Sequence, residues 1–144
     1  MANIIVSACL LGLETRYKGD GCLCERLLAL SREHTLIPVC PEQLGGLATP
    51  RDPSEIAPDG RVMSCAGQDV TAQYEKGARC ALAVARTARA DFAILKSRSP
   101  SCGKGIVYDG SFTGRKIPGT GVACSLLLEH GIPVYTEEDE WPVP

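Results

Sequence analysis

No stretch of the chain approaches the ~20 apolar residues that a membrane-spanning helix requires. The N-terminus enters a strand pattern at Asn3 without the basic region, apolar stretch and cleavage site of a secretory leader. The expectation is therefore a cytoplasmic protein with no membrane partner. A basic excess is also missing: 15 Lys and Arg against 17 Asp and Glu leave a net charge of -2. That balance offers no general attraction to nucleic-acid backbones. There is no internal repeat, no compact zinc-finger spacing and no Gly-x-Gly-x-x-Gly after the first strand pattern, so Gly119-Thr120-Gly121 alone is a weak phosphate signal. Only two histidines occur, His34 before a strand and His130 at a helix end, and neither has the company a metal ligand needs.

Cysteine, by contrast, is plentiful, with 8 in 144 residues. A chain of this length buries about two thirds of its unfolded surface and forms one domain, residues 1-144, without disulfide staples. Some of these thiols are therefore expected to bind metal or do chemistry. Cys80 and Cys124 fall within helical patterns and read as core residues. Cys22 and Cys24 flank Leu23 near a helix start and read as incidental thiols, with a thiol-based redox pair as the weaker alternative. Cys65 lies in a long loop and fits either role.

Hydrophobic periodicity predicts strands at 3-8, 35-39, 92-96, 106-108 and 132-135, and helices at 24-33, 70-90 and 122-130. Pro38 cannot donate to a ladder and should place its strand at an edge or leave it paired on one side. The stretch 41-69 reads as a functional loop with a small strand over Arg61-Cys65, and Asp69 as the cap of the long helix. The acidic end, 137-144, is expected to fray. Strands alternating with helices predict an α/β fold: a mainly parallel open sheet with flanking helices, Rossmann-like and three-layered.

Ligands of such sheets sit beyond the carboxyl ends of the strands. Cys9 closes the run Ile4-Ile5-Val6-Ser7-Ala8, Cys40 closes Leu36-Ile37-Pro38-Val39, and Cys102 lies in Ser97-Arg98-Ser99-Pro100-Ser101-Cys102-Gly103-Lys104-Gly105, just after Phe92-Ala93-Ile94-Leu95. All three thiols thus belong to one edge of the sheet and are expected to converge. Three thiolates leave one position open on a tetrahedral ion or on a cubane cluster, and zinc and iron-sulfur are not separated by ligand identity. Glu42, two residues after Cys40, is the nearest carboxylate and a candidate acid or base. Ser101 and Ser99 are candidates for orienting a substrate or relaying a proton, and Lys96, Arg51 and Arg98 for holding an anionic or carbonyl group.

The motifs Ser7-Ala8-Cys9-Leu10-Leu11-Gly12, Pro38-Val39-Cys40-Pro41-Glu42, Pro50-Arg51, Gly67-Gln68-Asp69-Val70-Thr71, Ile94-Leu95-Lys96, Ser99-Pro100-Ser101-Cys102-Gly103 and Tyr108-Asp109-Gly110 run through nearly the whole chain. In this order they resemble the TudS-like thiouracil desulfidases, a bacterial family long known only as a domain of unknown function. Lys18 departs from the aspartate expected there, and the Cys22/Cys24 pair is an addition. The resemblance implies a 4Fe-4S cluster on Cys9, Cys40 and Cys102 with one open iron, zinc being the alternative. It also implies Glu42 as acid/base, helped by Ser101. The implied activity is non-redox removal of sulfur, as hydrosulfide, from a small-molecule thio-substrate: a thiolated nucleobase such as thiouracil, or a related thioamide. The alternative is a non-catalytic metal or iron-sulfur binding module, a sensor or sulfur carrier.

Overall fold

A computed structural model describes residues 1-143. Four parallel strands form the central sheet: β1 (Asn3–Ser7), β2 (Thr35–Val39), β5 (Phe92–Leu95) and β8 (Val134–Thr136), in the order β2-β1-β5-β8. Two small antiparallel hairpins lie outside it, β3 (Ser54–Ile56) with β4 (Val62–Ser64), and β6 (Ile106–Tyr108) with β7 (Lys116–Pro118). The helices are α1 (Glu25–Ala29), α2 (Pro41–Leu44), α3 (Thr71–Thr87) and α4 (Val122–Glu129).

The two middle strands are covered on both faces, which is why they read as unbroken apolar runs rather than alternating ones. Ile5, Ala93 and Leu95 point to one face, where Leu82 and Ala85 of α3 and Cys124 and Leu127 of α4 pack on them. Their neighbours Ile4, Val6, Phe92 and Ile94 point to the other, against Leu10 and Leu27 of the α1 side. The period-2 alternation of a strand thereby divides one apolar run between two cores and yields three layers. β2 pairs with β1 alone, Val6 opposite Pro38, so the proline sits on an edge strand as expected.

Three features differ from the sequence reading. The stretch 41-69 holds more than the one small strand expected over residues 61-65, which is β4: α2 and β3 lie in it as well, both too short to show periodicity. The capping position of α3 is Val70, one residue past Asp69; the Asp69 carboxylate instead accepts the Thr71 N–H at 3.0 Å. The acidic end, expected to fray, makes tertiary contacts through Glu137, Glu138 and Trp141. Glu137 accepts the Ser97 N–H at 2.7 Å and pairs with Lys96 at 2.8 Å, Glu138 pairs with Arg98 at 3.0 Å, and Trp141 donates to the Thr136 carbonyl at 2.9 Å. Charge argued for solvation, but the half-buried cations Lys96 and Arg98 after β5 provide partners. Residue 144 lies outside the described residues.

α2 and α3 approach almost backbone to backbone. A Cβ on Gly77 would run into the Pro41 carbonyl, and one on Gly45 into the Gln73 carbonyl. Two glycines therefore set where α2, and with it Cys40 and Glu42, can lie.

Candidate active site

Strand order reverses between β1 and β5, since the chain first moves outward to β2 and then returns to the opposite side of β1. The crevice at this reversal is where α/β sheets bind ligands. Here it is a cavity of about 700 Å³ lined by Cys9, Cys40 and Cys102 together with Glu42, Ser101, Arg51 and Tyr74. Cys9 lies in the 3-10 turn that follows β1, Cys40 caps α2 with Pro41 at its first helical position, and Cys102 lies in the loop after β5. All three loops thus contribute a cysteine to the lining of this one cavity.

All three thiols are free, Cys9 and Cys102 being buried and Cys40 half-buried. Burial pushes the Cys102 thiol up to about 11, against the opposing hydrogen bonds of the Ser7 and Ser101 hydroxyls. Burial likewise raises Cys9, with Cys22 and Cys102 adding repulsion and Lys96 drawing it down. Thiolates gathered this way are costly by themselves and become favourable when a cation joins them. Among the described residues no three His, Cys, Asp or Glu side chains are grouped closely enough to hold a single metal ion.

The Cys102 loop is rigid for a reason visible in its hydroxyls. The Ser99 hydroxyl accepts the backbone N–H groups of Ser101 and Cys102, each at 3.1 Å, and the Ser99 carbonyl accepts that of Gly103 at 2.8 Å. The start of α4 completes it: Val122 N–H reaches the Pro100 carbonyl at 2.9 Å, while Ala123 and Cys124 donate to Ser101 at 2.9 and 3.0 Å. Gly121 is required at this junction, because a Cβ there would meet the Ser101 carbonyl carbon at 2.5 Å. The first-turn donors of α4 are thus spent on the cysteine loop, and Gly119-Thr120-Gly121 serves this contact rather than a phosphate.

Glu42 is held at one oxygen and offered at the other. Its Oε1 accepts Arg51 Nε at 3.1 Å and the Tyr74 hydroxyl at 2.8 Å; its Oε2 accepts the Ser101 hydroxyl at 3.2 Å. Burial first, then the charge of Glu42, raises the Tyr74 phenol, so it stays protonated and donates. Arg51 is itself fixed, with Nη2 on the Thr15 carbonyl at 2.9 Å and Nη1 on the Thr49 hydroxyl at 2.8 Å. The Ser101 hydroxyl also lies 3.0 Å from that of Ser99 and 3.5 Å from Cys102 Sγ. It therefore links the carboxylate to a thiol.

Of the cations proposed for an anion, Arg51 is committed to Glu42, Lys96 to Glu137 and Arg98 to Glu138, although all three line the cavity. Tyr74 and Glu137 were not foreseen: the first sits among core positions of a helix and the second in a charged tail, and neither carries a local motif. The Cys22 N–H donates to the Cys9 carbonyl at 2.8 Å, which places this cysteine beside Cys9. Cys65 lines the cavity, while Cys24 packs against the α1-side core.

An open parallel sheet that gathers unpaired thiols and a positioned carboxylate at its switch point defines a doubly wound α/β protein with a thiol-lined reaction site. More particularly, the chain belongs to the 2-thiouracil desulfurase family, whose model matches residues 4–139. It is 41% identical over 145 residues to the uncharacterized protein YbbK of Bacillus subtilis (strain 168), a match spanning 94% of this chain and 96% of YbbK. Among solved structures it is similar to the [4Fe-4S]-dependent thiouracil desulfidase TudS, with 43% identity and a TM-score of 0.89 over 96% of this chain and 92% of that one.

Proposed function

We propose that this protein is a desulfidase that removes sulfur, as hydrosulfide, from a thiolated nucleobase such as thiouracil or from a related thioamide. It does so in the cytoplasm, with an iron-sulfur cluster held by Cys9, Cys40 and Cys102, and without binding nucleic-acid backbones. The observation that carries the reading is the gathering of three free thiols, Glu42 and Ser101 around one cavity. Family membership and the likeness to TudS support it.

The donor set fits such a cluster. Three soft thiols without a disulfide among them suit iron-sulfur or zinc. Thiolates on one zinc, with Zn–S near ~2.3 Å, crowd to within about 4 Å of each other, and no such grouping occurs among the described residues. A cubane spreads its thiolates over separate irons, so it does not need them to meet at one ion. Bound here by three thiolates, it supplies an iron free of protein ligands, a thiophilic Lewis acid for a thiocarbonyl sulfur.

The chain's own residues do the rest. Replacing C=S by C=O consumes one water and releases one hydrosulfide and one proton, so both protons must leave the water oxygen, one ending on the departing sulfur and one passing to a base and on to solvent. Glu42 Oε2 is that base, because Arg51 and Tyr74 occupy Oε1 and fix the carboxylate. Ser101, donating to Oε2 at 3.2 Å, positions the carboxylate and passes the proton on.

The test is anaerobic reconstitution with iron and sulfide. A brown protein that converts 2-thiouracil to uracil with one sulfide released per turnover is expected. Glu42→Ala should keep the colour and lose the release, whereas a binding module has no release to lose. A colourless product that takes up zinc instead would refute the reading.

A further inference from the structure

One wall of the cavity is unused by the chemistry above. Phe112, at the tip of the β6-β7 hairpin, lines the same cavity as the three thiols, yet it is 38% exposed. Its φ is +59°, in the left-handed region that a bulky aromatic residue rarely adopts. The ring belongs to none of the core clusters, so core packing does not account for the strain.

The conformation is imposed from β3. Glu55 uses one carboxylate oxygen to accept the N–H groups of Gly110 at 3.0 Å and Phe112 at 3.1 Å. Gly110 lies so close to β3 that a Cβ there would be 2.8 Å from the Ile56 carbonyl oxygen. Two segments more than 50 residues apart are thereby bolted together, and the result is an aromatic ring held at the rim of the site. Tyr108 and Tyr17 line the cavity as well. A strained side chain that its surroundings over-determine beside a reaction site is the kind of outlier that points to function.

We propose that Phe112 is the stacking platform for the flat ring of the substrate and that Glu55 is its positioning residue, so the site takes planar ring thiones in preference to open-chain thioamides. The inference rests on the proposed desulfidase reading. Stacking a base on an aromatic side chain, removed by alanine substitution, corresponds to about 5- to 150-fold in affinity.

The test uses the anaerobically loaded chain. Calorimetry follows the binding of uracil, and sulfide release is measured with 2-thiouracil and with thioacetamide. Phe112→Ala should weaken uracil binding and raise KM for 2-thiouracil about tenfold or more, with a clearly smaller effect on thioacetamide turnover and the same visible absorbance. Phe112→Trp should restore binding, and Glu55→Gln should raise KM partway. Unchanged uracil affinity in Phe112→Ala, or an equal loss with thioacetamide, would overturn the proposal. Phe112-dependent uracil binding without sulfide release would sink the desulfidase reading and keep the stacking wall. Sulfide release that ignores Phe112 would do the reverse, and a chain that binds no uracil sinks the stacking wall whatever its sulfide release.

Discussion

At the level of single residues the proposed function divides the site into groups that hold and groups that would react. Arg51 and Tyr74 meet one oxygen of Glu42, and Ser101 meets the other. Glu42→Gln keeps the size of the side chain and removes the proposed base; sulfide release should fall by about 10²- to 10⁴-fold with iron content and colour unchanged. Cys102→Ser should act differently. Its loop is tied by Ser99 and α4 rather than by the thiol, so the chain should fold normally by circular dichroism while its iron and acid-labile sulfide drop sharply. Ser101→Ala lies between these extremes: the cluster is retained and release falls about tenfold or more.

At the level of elements the decisive contact is between α2 and α3. In an exposed helix Gly→Ala gains about 1 kcal/mol from propensity. Here the sign reverses, because the methyl of Gly77→Ala would collide with the Pro41 carbonyl, a backbone atom that cannot rotate away. Overpacking of this sort costs ~3 kcal/mol, visible as a lower midpoint in urea unfolding. Displacing α2 also moves Cys40 and Glu42, so sulfide release should fall beyond what the stability loss explains. The pattern that betrayed α3, its buried Tyr74, Ala78, Ala81, Leu82 and Ala85, says nothing of this approach. Gly77 reads in sequence as a mild helix breaker, and only its neighbour reveals why it stands there.

For the molecule as a whole, the C-terminal segment closes the structure onto the loop after β5. Burial works to raise the Glu137 carboxyl, but the hydrogen bonds from Lys96 and the Ser97 N–H, with the charge of Lys96, outweigh it and hold the group below its ordinary value. A carboxyl depressed on folding stabilises the native state at pH values above its unfolded pKa, and that contribution disappears as pH falls through the folded one. Glu137→Gln should therefore cost about 2 kcal/mol at neutral pH, and the gap from the unsubstituted protein should close as the pH drops below the usual carboxylate range. Denaturant midpoints at neutral and acidic pH would show it; a gap independent of pH would contradict the assignment. No helix among the described residues is long and apolar enough to cross a membrane.

The sequence by itself determined the layered sheet and the three thiols. Apolar runs buried on both faces are a local property of β1 and β5, and Cys9 and Cys40 come directly after apolar runs while Cys102 lies in the loop that follows one, so their common edge follows from strand direction. The placement of Pro38 on an edge strand follows from its missing donor. Only the tertiary structure decided which groups serve those thiols. Arg51, Tyr74 and Ser101 meet Glu42 from positions 9, 32 and 59 residues away, and Glu137 reaches Lys96 from 41 residues away. No periodicity records such meetings. They depend on how tightly α2 seats on α3 and where the hairpins land, and close backbone contacts at Gly77, Gly45 and Gly110 shape both, which a local reading of a helix breaker or a turn does not reveal.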